Sequence, residues 1–143
     1  MSQAPAPQPA PAKPEAAKPD GKAEPKPMIT FEDFAKVDLR VAKVLSCVPH
    51  PSADRLWKLS VDDGSGTPRQ VCAGIREHYS PEQLVGRSII IVANLQPRVI
   101  RGEESRGMLL AASNVPKDGA GETPRRVVVL GPSTEIEPGS IVS

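Results

Sequence analysis

The residues of this 143-residue chain predict an all-β domain: a small closed barrel of five short strands, with one short helix between the third and fourth. Three observations carry that reading. Apolar and polar residues alternate from Val37 to Val41 and again from Leu56 to Val61, the period of a half-buried strand. Turn-forming clusters, Pro49-His50-Pro51 and Asp62-Asp63-Gly64-Ser65-Gly66, cut the apolar runs at short intervals. Between the third and fourth runs, Ser80-Pro81-Glu82-Gln83-Leu84 has a capped helix start with proline in its first position.

In chain order, Thr30 is placed to cap a single helical turn, with Asp33 three residues on. Phe31 and Phe34 would share one face of that turn and are expected to pack down and plug one end of the core. Val37 to Leu45 is the first strand, and its alternation slips phase at Val44, which predicts a bulge that bends it. Leu56 to Val61 is the second, with Trp57, Leu59 and Val61 facing in and Lys58 and Ser60 facing out. Arg69 to Ala73 returns as the third, and Gly86 ends the helix that follows. Ile89 to Asn94 is a central strand whose unbroken apolar run predicts cover on both faces. Met108 to Ala112 is the fifth. Val115 to Pro124 reads as a loop, Arg126 to Leu130 as a further strand and Ile136 to Val142 as a closing segment. Five strands with a helix at that point make the layout of an OB-type barrel.

Residues 1–27 are of another kind. They hold eight of the 17 prolines and seven alanines, with Met1 as their one large apolar side chain. Such a segment buries too little to offset its ordering entropy, so it is expected to be a disordered Pro/Ala/Lys linker ahead of a domain spanning 28–143. It lacks the apolar h-region of a signal peptide. No apolar run approaches the ~20 residues that a helical membrane span needs. The chain carries 18 Lys+Arg against 17 Asp+Glu, and removing the linker leaves 14 of each. A protein that coats DNA would show a basic surplus. A nucleic-acid site here has to be a local patch.

Catalysis finds little support. His50 lies between two prolines and His78 far along the chain, with no acid at metal-ligand spacing to both. Cys72 and His78 sit in no nucleophile elbow or orienting triad, and no Gly-rich phosphate loop occurs. Cys47 and Cys72 read as small apolar groups in a reducing, cytoplasmic setting. The expectation is a binding module with no cofactor and no metal.

Binding is better supplied, from Ala93 to Ser113. Three arginines, a serine and two glycines stand there between two apolar runs. Arginine is a planar, permanently charged donor fork suited to phosphate and to stacking on bases. OB-type barrels hold nucleic acid on the face of their second and third strands and on the adjoining loops. That makes Arg40, Lys58 and Ser60, joined by Asn94, Arg98, Arg101, Ser105, Arg106 and Met108, the candidate surface. The residues alone leave a second reading open. The arginines would pair with Glu103 and Glu104 on a solvated loop, and Met108 would belong to the core.

Three motifs in order narrow the choice. Lys36-Val37-Asp38-Leu39-Arg40-Val41 is followed by His50-Pro51-Ser52-Ala53-Asp54-Arg55-Leu56. The third is Asn94-Leu95-Gln96-Pro97-Arg98 continued by Arg101-Gly102-Glu103-Glu104-Ser105-Arg106-Gly107-Met108. Together, over Phe31 to Val142, they resemble the tRNA-binding domain appended to the C-terminus of many bacterial methionyl-tRNA synthetases. The same domain occurs free-standing and in the endothelial-monocyte-activating polypeptide family. The resemblance implies an OB-fold with a C-terminal extension, sequence-tolerant binding to the outer shape of tRNA, and homodimerisation through Val127 to Val142. It also implies a synthetase catalytic part as partner, in cis or in trans, so that the chain is an accessory and not itself an enzyme. Gln96 and Val99 stand where the family often has lysine, which thins the basic loop. Gly102 and Gly107 are expected to permit special backbone geometry, and Asp54 to hold its turn by hydrogen bonds to backbone. A secretion-chaperone-like, peptide-binding relative shares the opening motif and is the alternative.

Overall fold

A computed structural model describes residues 25–114 and 124–143. Most of the expected linker, and the expected loop from Val115 up to Pro124, lie outside the described residues. Met28–Ala112 with Val127–Ser143 forms one compact unit, and Ser113–Arg126 belongs to another. In the latter, the Asn114 side chain donates to the Pro124 carbonyl at 3.1 Å and accepts the Arg126 N–H at 2.7 Å.

The larger unit opens with helix α1 (Phe31–Ala35), capped by the Thr30 hydroxyl, which accepts the Asp33 N–H at 3.1 Å. Strands β1 (Leu39–Pro49), β2 (Trp57–Asp62) and β3 (Arg69–Ala73) form a meander; helix α2 (Pro81–Leu84) and strand β4 (Ser88–Val92) follow. Next come β5 (Arg98–Ile100), β6 (Glu103–Ser105), β7 (Met108–Leu109) and β8 (Ala111–Ser113). Strands β9 (Val127–Val129) and β10 (Ile141–Val142) complete the chain. The main sheet runs β3-β2-β1-β4-β7, and β10 pairs with the start of β1. The open edge of β3 meets the chain around β6, where the Arg106 N–H donates to the Gln70 carbonyl at 2.8 Å. That contact rolls the sheet into a nearly closed all-β barrel, as the residue pattern predicts.

β1 can serve both β2 and β4 because it bends. Its register with β2 shifts between Val44 and Ser46, the bulge expected from the phase slip. β2 alternates as expected: Trp57, Leu59 and Val61 are buried, Lys58 and Ser60 half-buried. In β4, Ile89 and Ile91 are fully buried while Ile90 on the other face is half-covered, its N–H donating to the Leu130 carbonyl at 3.3 Å.

Two expectations need correction. The fifth strand is short, β7 and β8 being split at Leu110, and the chain before it is itself a hairpin, β5–β6. The sequence hid that hairpin because Glu103, Glu104 and Ser105 carry no apolar alternation. Nor does α1 plug the core. Phe31 is 77% exposed and Phe34 41%. Leu84, fully buried from α2, joins Ile75 in the core cluster instead, with Tyr79 packed against it, so the barrel interior is filled without the phenylalanines.

Candidate nucleic-acid interface

The β5–β6 hairpin is built on a two-residue turn, Arg101-Gly102, between the paired residues Ile100 and Glu103. Both turn residues have positive φ, 49° and 89°, the signature of a type I′ turn, whose twist matches that of the flanking strands. Gly102 takes this without strain. Arg101 is the one non-glycine with positive φ among the described residues.

Polar contacts seat the hairpin against the barrel. Ser105, 5% exposed, accepts the Cys72 N–H of the β3 edge at 3.0 Å and donates to the Gly107 carbonyl at 3.1 Å. Gln70 donates to the Glu104 carbonyl at 2.8 Å and to the Glu103 carboxylate at 3.3 Å. Lys58 reaches that same carboxylate at 3.2 Å. The hydrogen bond from Lys58 holds Glu103 below its ordinary value; partial burial works the other way and is outweighed. Gly107 has φ 145°, and a β-carbon there would stand 3.1 Å from the Val92 carbonyl oxygen. Both glycines therefore do what the sequence suggested.

His50 fastens the hairpin tip. It is 3% exposed; its Nε2 lies 2.8 Å from the Ile100 carbonyl, and its Nδ1 accepts the Ser52 N–H at 2.9 Å. A carbonyl only accepts and an amide only donates, so the ring is neutral with its proton on Nε2. His50, not Asp54, is therefore the residue that holds this turn; among the described residues no backbone group hydrogen-bonds to Asp54.

A second anchor lies at the other end of the loop. The Asn94 side chain accepts the Asp38 N–H at 2.9 Å and donates to the Lys36 carbonyl at 2.6 Å. Arg69 donates to the carbonyls of Ala93 at 2.8 Å and Arg106 at 2.6 Å, and to Asp63 at 2.8 Å. Burial alone would raise the Asp63 carboxyl, but hydrogen bonds from Ser65 and Arg69 outweigh it and leave the group below its ordinary value.

The nine candidates thus fall into two groups. Arg40 donates to Asp38 at 2.7 Å and to the Gly139 carbonyl at 3.1 Å, and Asp38 raises its pKa. Lys58, Asn94 and Ser105 have their polar atoms in the internal contacts above, and Ser60 is half-buried on β2. Arg98, Arg101, Arg106 and Met108 are exposed. Arg98 has no ion pair among the described residues, and Arg101 donates to the Ser52 carbonyl at 3.2 Å. Arg106 pairs with Glu104 at 3.3 Å, a solvent-exposed contact worth little. The solvated-loop alternative holds for Arg106 alone, and Met108 is 47% exposed, not core. His50, Arg69 and Gln70 were not among the candidates. Their contacts to Ile100, Ala93 and Glu104 span 24 to 50 residues, and no local spacing announces those.

A barrel of this topology, with an arginine-bearing hairpin beside its second and third strands, has the architecture of an OB-type module. Residues 39–141 match the family model described as "Putative tRNA binding domain", and the chain belongs to that family. It is 58% identical over 90 residues to a methionine–tRNA ligase of Chlorobium phaeovibrioides, covering 63% of this chain and 13% of the ligase. A methionine–tRNA ligase of Thermotoga maritima is 50% identical over 115 residues, 80% of this chain and 17% of the ligase. The chain thus spans about one seventh of these relatives and corresponds to a non-catalytic accessory domain. Among solved structures, a "MetRS related protein" from Pyrococcus horikoshii superposes with TM-score 0.70 at 30% identity, over 82% of this chain and all of that one. The chaperone CsaA from Bacillus anthracis superposes with TM-score 0.68 at 32% identity, over the same shares.

Proposed function

We propose that this domain holds tRNA by its backbone and outer shape, through Arg98, Arg101, Arg106 and Met108, and so assists methionyl-tRNA formation by a synthetase catalytic part. Arg40, Lys58, Asn94 and Ser105 serve the same surface from beneath. The observation that carries this is the exposed arginine-bearing hairpin, rigidly seated by buried polar contacts at Ser105 and His50. A fixed donor array recognises a folded RNA, whereas a mobile one would follow any polyanion. Arginine forks take phosphate, and Met108 gives an apolar contact to an exposed base or ribose. Tethered to a catalytic part, such a module raises the local tRNA concentration without new catalytic contacts.

Homodimerisation belongs to the same proposal. Met28, Ile29, Phe31 and Phe34 are exposed immediately before β1, and Ile141, paired with Arg40 of β1, is exposed as well. So many large apolar groups around one strand start suit burial against a second copy. The N-terminal helix thereby joins the C-terminal segment as the expected interface.

Binding of the purified protein to intact tRNA, to a single strand and to a DNA duplex of similar length, across a salt series, tests the first part. A preference for tRNA is expected, with a log–log slope of roughly −0.7 to −0.9 per phosphate contact. Equal binding to duplex DNA would remove the shape-reading proposal. The likeness to CsaA favours one competing reading, capture of unfolded peptides. Tighter binding to a denatured polypeptide than to tRNA would establish it instead.

A further inference from the structure

The cleft between the β1–β2 turn and the tip of the β5–β6 hairpin shares only Arg101 with the contacts proposed above. It encloses about 400 Å3 and is lined by Ser52, Asp54, Arg55, Leu56, Ile100 and Arg101. Its walls are held at fixed separation. His50 bridges them through the Ile100 carbonyl at 2.8 Å and the Ser52 N–H at 2.9 Å, and the Arg101 guanidinium donates to the Ser52 carbonyl at 3.2 Å. Arg101 itself stands where two-residue turns normally place Asn, Asp or Gly, with φ 49°. A long side chain kept at a backbone position that disfavours it points to a use for that side chain.

The chemistry of the lining is mixed. Leu56 and Ile100 are half-buried and supply an apolar floor. Arg55 and Arg101 are exposed at its lips; Arg55 pairs with Glu77 at 3.4 Å with 81% of its side chain still exposed. Asp54 contributes a carboxylate that no hydrogen bond or ion pair engages among the described residues. Two cations against Asp54 and Glu77 leave the cleft neutral, so it is no phosphate trap. An apolar floor, planar guanidinium faces and one free acceptor suit an unpaired base instead, which stacks on its face and hydrogen-bonds on its edge.

We propose that this cleft receives one unpaired, amino-bearing nucleobase of the bound RNA, stacked against Arg55 and Arg101, with Asp54 accepting a hydrogen bond from the exocyclic amine. His50 is its positioning residue. The proposal rests on the tRNA-binding reading above, and the test separates the two.

The decisive variant is Asp54→Asn, measured with the wild type and Arg55→Ala for affinity to one tRNA across a salt series. Thermal melts of each variant confirm an intact fold; both sites are exposed. If the cleft sensed charge alone, removing a carboxylate would tighten binding. A base-reading cleft predicts a loss, about three- to tenfold, because the neutral amide oxygen that remains accepts more weakly from the amine than the charged carboxylate does. Arg55→Ala should lose about five- to tenfold, the low end for a lost stacking contact, with little change of salt slope. Chemical modification of Watson–Crick edges on the tRNA should show one unpaired nucleotide protected by the wild type and re-exposed by Asp54→Asn. Unchanged or tighter binding by Asp54→Asn, or no protected unpaired base in a wild-type complex, overturns the cleft proposal and leaves tRNA binding standing. A wild type that does not bind tRNA overturns both.

Discussion

The barrel and the hairpin that leans on it are held by different forces. Leu59, Leu84, Ile89, Ile91 and Val71 are fully buried in a contiguous apolar core, and among the described residues no charged group enters it. The β5–β6 hairpin buries little apolar surface: Val99 at its middle is 73% exposed. What fixes it is a set of polar attachments, at Ser105, Gln70, Lys58 and His50, each made to a backbone group or a single carboxylate. Apolar burial is non-directional and sets stability, whereas hydrogen bonds set position. A surface that must meet a folded RNA in a defined pose needs the second more than the first.

Core and hairpin substitutions should therefore separate. Leu59→Ala leaves a cavity at the centre of β2 and should cost about 2–5 kcal/mol in chemical denaturation, with tRNA affinity unchanged as long as the protein remains folded. Loss of affinity in the folded variant would mean that the core tunes the interface. Ser105→Ala strands the part-buried Cys72 N–H and should cost about 1–3 kcal/mol. Its distinguishing effect is expected on binding: the hairpin swings off the β3 edge, and tRNA affinity falls while Leu59→Ala retains it. Faster amide exchange at Cys72 and Arg106, with β1 and β4 protection preserved, would trace the loss to the hairpin.

How much of this the sequence disclosed follows the same division. The strands β1 to β4, the bulge near Val44 and the capped helix α2 come from local periodicity and local turn chemistry, and those signals sit within a few residues of one another. The family resemblance supplied the binding class. The hairpin came through only as a basic stretch, since Glu103 to Ser105 lack the period-two pattern and the Arg101-Gly102 turn departs from the usual Asn-Gly. Its anchors were out of reach. His50 meets Ile100 fifty residues on, and Asn94 meets Asp38 and Lys36 from 56 and 58 residues away. The phenylalanines of α1 misled because amphipathic spacing says that a face wants cover, not whether the chain's own core provides it. Phe34→Glu sharpens this point: a monomer in sedimentation, unfolding as readily as the wild type, is the expected outcome.

On the hairpin surface the effects should be smaller and confined to binding. Arg98→Ala and Arg106→Ala touch no buried group and should leave stability within about 0.5 kcal/mol. Each should lower the magnitude of the salt slope for tRNA by roughly 0.7–0.9 if it meets one phosphate. Arg98 should show the greater loss of affinity, since Arg106 is already shared with Glu104.

The smallest effect concerns pH and tests the Lys58–Glu103 attachment directly. Lys58 donates to Glu103 and pulls that carboxyl below its ordinary value of 4.5. A depressed carboxylate adds stability that is complete above the ordinary value and is lost as pH falls through the lowered one. Between about pH 5 and 3, the wild-type hairpin should therefore loosen, read as rising amide exchange at Glu104 and Ser105. Asp63, also depressed, will weaken the Arg69 anchor in the same direction, so the wild-type profile by itself is ambiguous. Glu103→Gln resolves it: the amide oxygen still accepts from Lys58 but does not titrate, and only the share of the pH dependence due to Glu103 should disappear. An unchanged profile in Glu103→Gln would assign the acid response to Asp63 and reduce the Lys58 contact to a surface ion pair of no positional consequence.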